Sequence, residues 1–130
     1  VDFVNLAVNG TLMRGLSLNQ NLLDVKAELV RETRTSPRYR LWSIYDEFPA
    51  MIREENDGDQ IEVEIWSLSP SALITILQKE PPGLCIGQIE LEDGDTVFGV
   101  LGEPYIVIDQ KEITGWKGWR NYLHSQINDE

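Results

Sequence analysis

Four residues that close the first apolar run, Asn9, Gly10, Thr11 and Leu12, carry the clearest local signal for chemistry in this 130-residue chain. A strand that turns sharply through glycine aims successive backbone N–H groups at one point, and such a nest cradles a carboxylate. The parts for several common enzyme designs are missing. A single histidine, His124, cannot build the usual zinc sites, no Ser-His pairing is evident, and there is neither a Walker loop nor a G-x-G-x-x-G. His124 falls in NYLHSQ, near the end of an expected helix, and reads as a surface or capping residue that favours the helix dipole. The one cysteine, Cys85, excludes an intrachain disulfide framework and a cysteine-built metal site. In GLCIGQI it reads as a core thiol rather than a nucleophile. Neither a metal nor another cofactor is expected.

Charge narrows the partners. Eleven basic against 22 acidic side chains give a formal net charge of -11, which repels a phosphate backbone at long range, so nucleic acid is not an expected partner. Arg31, Arg34, Arg38 and Arg40 fall within ten positions, while acids crowd 54–64 and 90–95. That basic cluster either holds an anion or forms a solvated strand face balancing its acidic neighbours. No apolar run approaches the roughly 20 residues that cross a bilayer, and the N-terminus has neither a basic n-region nor a small-residue cleavage site. We therefore expect a cytoplasmic chain without membrane attachment, one that begins at Val1 as a trimmed segment or a piece of something longer would.

The elements that must hold the 9–12 turn follow from periodicity. At 130 residues, with 42% hydrophobic and 25% charged side chains, the composition fits one domain over 1–130 with one core. Residues 3–8 read as a buried strand, and 16–24 stay open. Alternation from Ala27 gives a strand stopped at Ser36 and Pro37, and a second strand follows over 39–45. Turn residues in EENDGDQ precede the cleanest strand, IEVEIW, in which Ile61, Val63 and Ile65 share one face and Glu62 and Glu64 the other. Ser69 as N-cap, Pro70 at the first position and apolar Leu73, Ile76 and Leu77 predict a helix ended by Pro81 and Pro82. Residues 84–91 and 96–101 flank EDGD and form a hairpin, and EPYIVID adds a strand. Thr114 caps a last helix whose Trp116, Trp119, Tyr122 and Leu123 dock on the sheet. Many short strands with two convincing helices make an α+β fold around a mostly antiparallel, partly closed sheet.

AVNGTLMRG resembles the tyrosine-glycine-serine-leucine loop that follows the first strand of gamma-glutamylcyclotransferase-like proteins, with Asn9, Gly10, Thr11 and Leu12 at its four positions. TRTSPRYRLWSIY, IEVEIWSLS, CIGQIELEDGDTVFGVLGEPY and EITGWKGWRNYL together resemble the C-terminal domain of allophanate hydrolase along the whole chain. That resemblance implies a small mixed barrel with helices packed outside and a pocket at its mouth lined by the glycine loop.

Within the superfamily, a glutamate after the helix equivalent to 70–80 removes a proton from a substrate amine, and Glu80 falls near that place, although Pro81 follows it where the family has glycine. A base there needs its pKa raised toward neutrality by burial. The allophanate-hydrolase likeness implies instead a domain that assists decarboxylation of an N-carboxylated carbamate released by an amidase-type partner. Such a role needs cations and N–H donors around a small carboxylated metabolite, for which Arg14, Arg38, Tyr39 and the 9–12 loop are the candidates. Glu103 and Tyr105 in GEPYIV could line the same pocket, or form a buried hydrogen-bonded pair. Three functions stay open: the allophanate-type role, a cyclotransferase-type lyase with Glu80 as base, and a noncatalytic module binding an anion or a protein.

Overall fold

A computed structural model describes residues 2–128. Five strands form the larger sheet: β1 (Val4–Val8), β2 (Glu28–Arg34), β5 (Glu62–Leu68), β6 (Leu84–Glu90) and β7 (Thr96–Gly102), in the order β2-β5-β1-β7-β6. Only the central β1–β7 pair in this sheet is parallel. β3 (Tyr39–Ile44), β4 (Phe48–Arg53) and β8 (Lys111–Glu112) form a second antiparallel sheet in the order β4-β3-β8. The larger sheet curls until its edges meet at one end. There Thr35, just past β2, bridges Leu91, just past β6, with Ser36 N–H donating to Glu90 O at 2.9 Å and Glu92 N–H to Arg34 O at 3.0 Å. The sheet is thus pinched rather than closed along its length.

Both faces of β5 are covered along Val63–Trp66, which changes the reading of that strand. Ile61, Val63 and Ile65 are buried on the inner face as alternation predicts. Glu64 on the other face is also buried, at 1% exposure. Its carboxylate accepts from Arg14 N–H at 2.7 Å, from Trp66 Nε1 at 3.1 Å and from Arg120 at 3.3 Å, so this acid ties the turn after β1 to the last helix. A buried charge needs such partners to offset its lost hydration.

The helices sit outside. α1 (Asn19–Asp24) is a short helix in the stretch that periodicity leaves open. α2 (Pro70–Gln78) starts as expected, with Ser69 Oγ accepting from Ala72 N–H at 3.1 Å and Pro70 in the first turn. α3 (Trp119–Asn128) buries Trp119 and Tyr122.

Three expectations are corrected. Thr114 does not cap α3: its hydroxyl accepts from Leu41 N–H at 2.9 Å, and Lys117, at φ 64, ends a separate 3-10 turn over Thr114–Trp116 before the helix begins. EPYIVID is not a strand. Pro104 opens a 3-10 turn over Pro104–Val107, where its fixed φ and missing N–H suit the first position of a turn. The strand expected over 39–45 stops at Ile44, because Tyr45 and Asp46 take left-handed φ of 51 and 56 to reverse the chain into β4. Among the described residues no helix is long and apolar enough to cross a membrane.

Candidate functional site

The turn after β1 is built to leave amides free. Its carbonyls are occupied: Met13 N–H donates to Gly10 O at 3.0 Å, Leu18 N–H to Thr11 O at 2.9 Å, and Asn19 Nδ2 to Leu12 O at 2.8 Å. The N–H groups of Thr11 and Leu12 have no acceptor among the described residues. Asn9 is locked inward at 3% exposure, its Nδ2 donating to Val100 O at 3.0 Å. Gly10 is required by space rather than by φ, because a Cβ there would lie 2.5 Å from Pro49 Cδ.

These residues form one wall of a narrow cleft. Val8 continues that wall, Phe48 and Pro49 of β4 and Val100 of β7 form others, and Leu84 of β6 and Glu80 complete it. Its volume is ≈ 20 Å³, room for about one water. Glu80 lies just past α2, with its N–H donating to Leu77 O at 3.2 Å. Its carboxyl is half-buried, has no hydrogen bond or ion pair among the described residues, and is pushed up in pKa by that burial. On its far side Glu80 also borders a shallower depression with Leu77, Pro81, Pro82, Cys85 and Ile86. Cys85 donates weakly to Leu101 O at 3.5 Å, and burial, followed by the charge of Glu103, raises its thiol pKa. It is therefore a poor nucleophile.

Of the sequence-derived candidates, the fold brings Asn9, Gly10, Thr11, Leu12 and Glu80 together. The others lie elsewhere. Arg14 is exposed and pairs with Glu32 at 2.8 Å. Arg38 is exposed and pairs with Glu90 at 3.2 Å and Glu55 at 3.8 Å. Tyr39 is fully buried, and its hydroxyl accepts from Glu90 N–H at 2.9 Å, which is a fold-holding bond. Glu103 and Tyr105 are exposed rather than a buried pair. Glu103 N–H donates to Gly83 O at 2.8 Å, and the Tyr105 hydroxyl lies over Gly83, so both flank the strap that follows Glu80 without lining the cleft. His124 is exposed on α3. Phe48, Pro49, Leu84 and Val100 are cleft residues that sequence reasoning missed. Only long-range strand pairing places them there, and no local signal marks them.

The family model for the allophanate hydrolase C-terminal domain matches residues 4–124. The chain belongs to that family. It is 30% identical over 127 residues to urea amidolyase of Saccharomyces cerevisiae, covering 92% of this chain and 7% of that protein. It thus spans only 7% of the length of the curated yeast relatives it matches. Among solved structures, the uropathogenic E. coli protein c4763 superposes with a TM-score of 0.93 at 48% identity, covering 95% of this chain and 98% of that one. Kluyveromyces lactis allophanate hydrolase gives a TM-score of 0.91 at 26% identity, over 96% of this chain and 22% of that one. A gamma-glutamyl cyclotransferase, at 10% identity and a TM-score of 0.56 over 85% of this chain and 70% of its own, shares the fold. The resemblance read from AVNGTLMRG and from the longer stretches therefore holds at the level of family and fold.

Proposed function

We propose that this chain binds a small carboxylated metabolite in the cleft between the 9–12 turn and Glu80, and that it assists decarboxylation of an N-carboxylated carbamate. The observation that carries this reading is the pairing of two unclaimed amides with an unpartnered, half-buried carboxyl across one narrow cleft. In such a decarboxylation the C–N bond breaks, CO2 leaves, and the electron pair left on nitrogen takes a proton. The Thr11 and Leu12 N–H groups hold the carboxylate and Glu80 delivers the proton, which a carboxyl with a raised pKa still carries nearer neutrality than an ordinary one. Family membership supports the reading, as does the K. lactis relative named allophanate hydrolase, in which this domain is a small part of a longer chain. An amidase-type partner would supply the substrate. Because the free space admits about one water, a larger ligand enters only if a wall of the cleft moves.

The placement of Glu80 directly after α2 and opposite the turn also favours a second reading, a cyclotransferase-type lyase in which Glu80 acts as base. One titration addresses both. Malonate added to isotope-labelled protein should shift the Thr11 and Leu12 amide resonances more than those near Arg14 or Arg38. Shifts centred on either arginine would reject the cleft as the site. Turnover then decides the chemistry, with CO2 release from the carboxylated carbamate supporting the first reading and 5-oxoproline released from a gamma-glutamyl dipeptide the second. Binding with neither product would leave a noncatalytic module.

A further inference from the structure

The groups that line the cleft are peculiar for an anion site, because none of them is a cation. Phe48, Pro49, Leu84 and Val100 are apolar, and the one charged side chain is Glu80, itself an acid. Arg14 and Arg38 are engaged with acids on other surfaces, and Lys79, adjacent in sequence, does not line the cleft. Thr11, Leu12 and Glu80 line the same narrow cleft, so a ligand carboxylate seated on the Thr11 and Leu12 amides lies beside the Glu80 carboxyl. Two ionised carboxylates sharing one cleft between apolar walls, in a chain of net charge -11, repel each other strongly.

We infer that the cleft takes up one proton with each carboxylate it binds, the ligand's carboxylate and the Glu80 carboxyl sharing a single hydrogen between them. This rests on the reading of the cleft as a carboxylate site and names how that site is regulated. The balance is simple: one ligand carboxylate and one Glu80 carboxylate combine with one solvent proton, and no bond between heavy atoms changes. The geometry supplies the donor, since Glu80 has no partner among the described residues and its O–H is free to point at the ligand. Among the described residues, no neighbouring element offers a competing titratable group of opposite charge. The β1 turn presents Asn9 and Thr11, β4 presents Phe48 and Pro49, β7 presents Val100, α2 presents Leu77, and β6 presents Cys85, whose thiol is held neutral by burial and by Glu103. Carboxyl pairs that share a proton titrate as a unit, and the shared proton is then already in place for transfer to a substrate nitrogen.

N-acetylglycine is a suitable probe, because its own carboxyl stays ionised throughout the working range. Its affinity, read from the Thr11 and Leu12 amide shifts, should fall about tenfold for each pH unit above the midpoint of free Glu80. Above that midpoint, where free Glu80 is ionised, calorimetry in two buffers of different ionisation heat should report close to one proton taken up per ligand. Glu80→Gln keeps a hydrogen-bond donor and cannot ionise, so it should bind with the low-pH affinity of the wild type at every pH. Glu80→Ala should bind more weakly but equally without slope. A flat wild-type profile, no proton uptake, or a slope that survives in Glu80→Gln would overturn the inference while leaving the carboxylate site intact. Loop amides that fail to respond in wild type and in Glu80→Gln at any pH would sink the site itself, and the inference with it.

Discussion

Glu80 is easier to keep neutral in the folded chain than in the unfolded one, because folding strips water from its carboxyl and supplies no partner among the described residues. The folded state therefore holds the Glu80 proton to a higher pH than the unfolded state does. Between the ordinary glutamate value and the raised one, the native chain binds more protons, so this group's contribution is fully present at low pH and is lost as pH rises through the folded-state pKa. Glu80→Gln removes that loss. It should melt at a higher temperature than the wild type at neutral pH, with the difference shrinking as the pH is lowered toward about 4. Thermal melts of the two proteins over that range test this, and a glutamine variant less stable at neutral pH would mean that the carboxylate is held by interactions absent from the structure. The opposite case is Asp46. The Ser43 hydroxyl first, then the Tyr122 hydroxyl, hold its carboxyl below the usual range, which stabilises the charged form. Residue type alone does not tell a bare acid such as Glu80 from a satisfied one such as Asp46, because the fold decides which side chains find partners.

The elements that were legible in the sequence are those fixed by neighbours along the chain. α2 follows from Ser69, Pro70 and the apolar spacing to Leu77, and the β6–β7 hairpin follows from Gly94, whose φ of 91 is what an EDGD turn asks of it. The elements that were not legible depend on partners far away. β4 contains Pro49, which argues against a strand, yet it pairs with β3 along its full length through a turn that carries no glycine. The 3-10 turn over Pro104–Val107 sets Ile106 against the bare Cα of Gly83, a position with φ of 96 where an added Cβ would collide with that side chain. The candidate site divides the same way. Asn9, Gly10, Thr11 and Leu12 are one local turn and were found together, whereas its apolar walls come from three other strands. Arg38 and Tyr39 are candidates by residue type, but the entry into β3 turns Arg38 to the acidic surface and Tyr39 into the core. The contact between the β1 turn and β4 can be tested by Gly10→Ala. Its new Cβ would press on Pro49 at 2.5 and 2.6 Å, so either the turn or the proline must move. Overpacking of this kind costs about 1–3 kcal/mol, measurable by urea titration, and the same variant should lose the malonate response of Thr11 and Leu12. A cost below about 0.5 kcal/mol would show that the wall of the cleft yields freely.

At the scale of the molecule, the question is whether two sheets make one cooperative unit. The core argues that they do. Leu41 and Met51 of the smaller sheet, Leu6, Ile65 and Ile89 of the larger, Ile76 of α2, and Trp119 and Tyr122 of α3 belong to one continuous buried cluster. Polar ties run the same way: Tyr39 of β3 holds Glu90 of β6, and Asp46 at the β3–β4 turn holds Tyr122 of α3 at 2.7 Å. Surface ion pairs contribute little by comparison, since pairs such as Arg14 with Glu32 are exposed on both sides. The c4763 comparison adds that a chain covered over 98% of its length has the same architecture, whereas in the yeast proteins the matching region is 7% of the chain. We therefore expect residues 1–130 to behave as a single domain with one two-state transition. Tryptophans report from each part, with Trp42 on β3, Trp66 on β5 and Trp119 on α3. Urea unfolding followed by far-ultraviolet circular dichroism and by tryptophan fluorescence should give coincident midpoints and a common slope of about 1–3 kcal/mol per molar urea. An earlier fluorescence change that disappears in Trp42→Phe would place a separate transition in the smaller sheet. Because that sheet supplies Phe48 and Pro49, such a result would also mean that the cleft can open without the larger sheet coming apart.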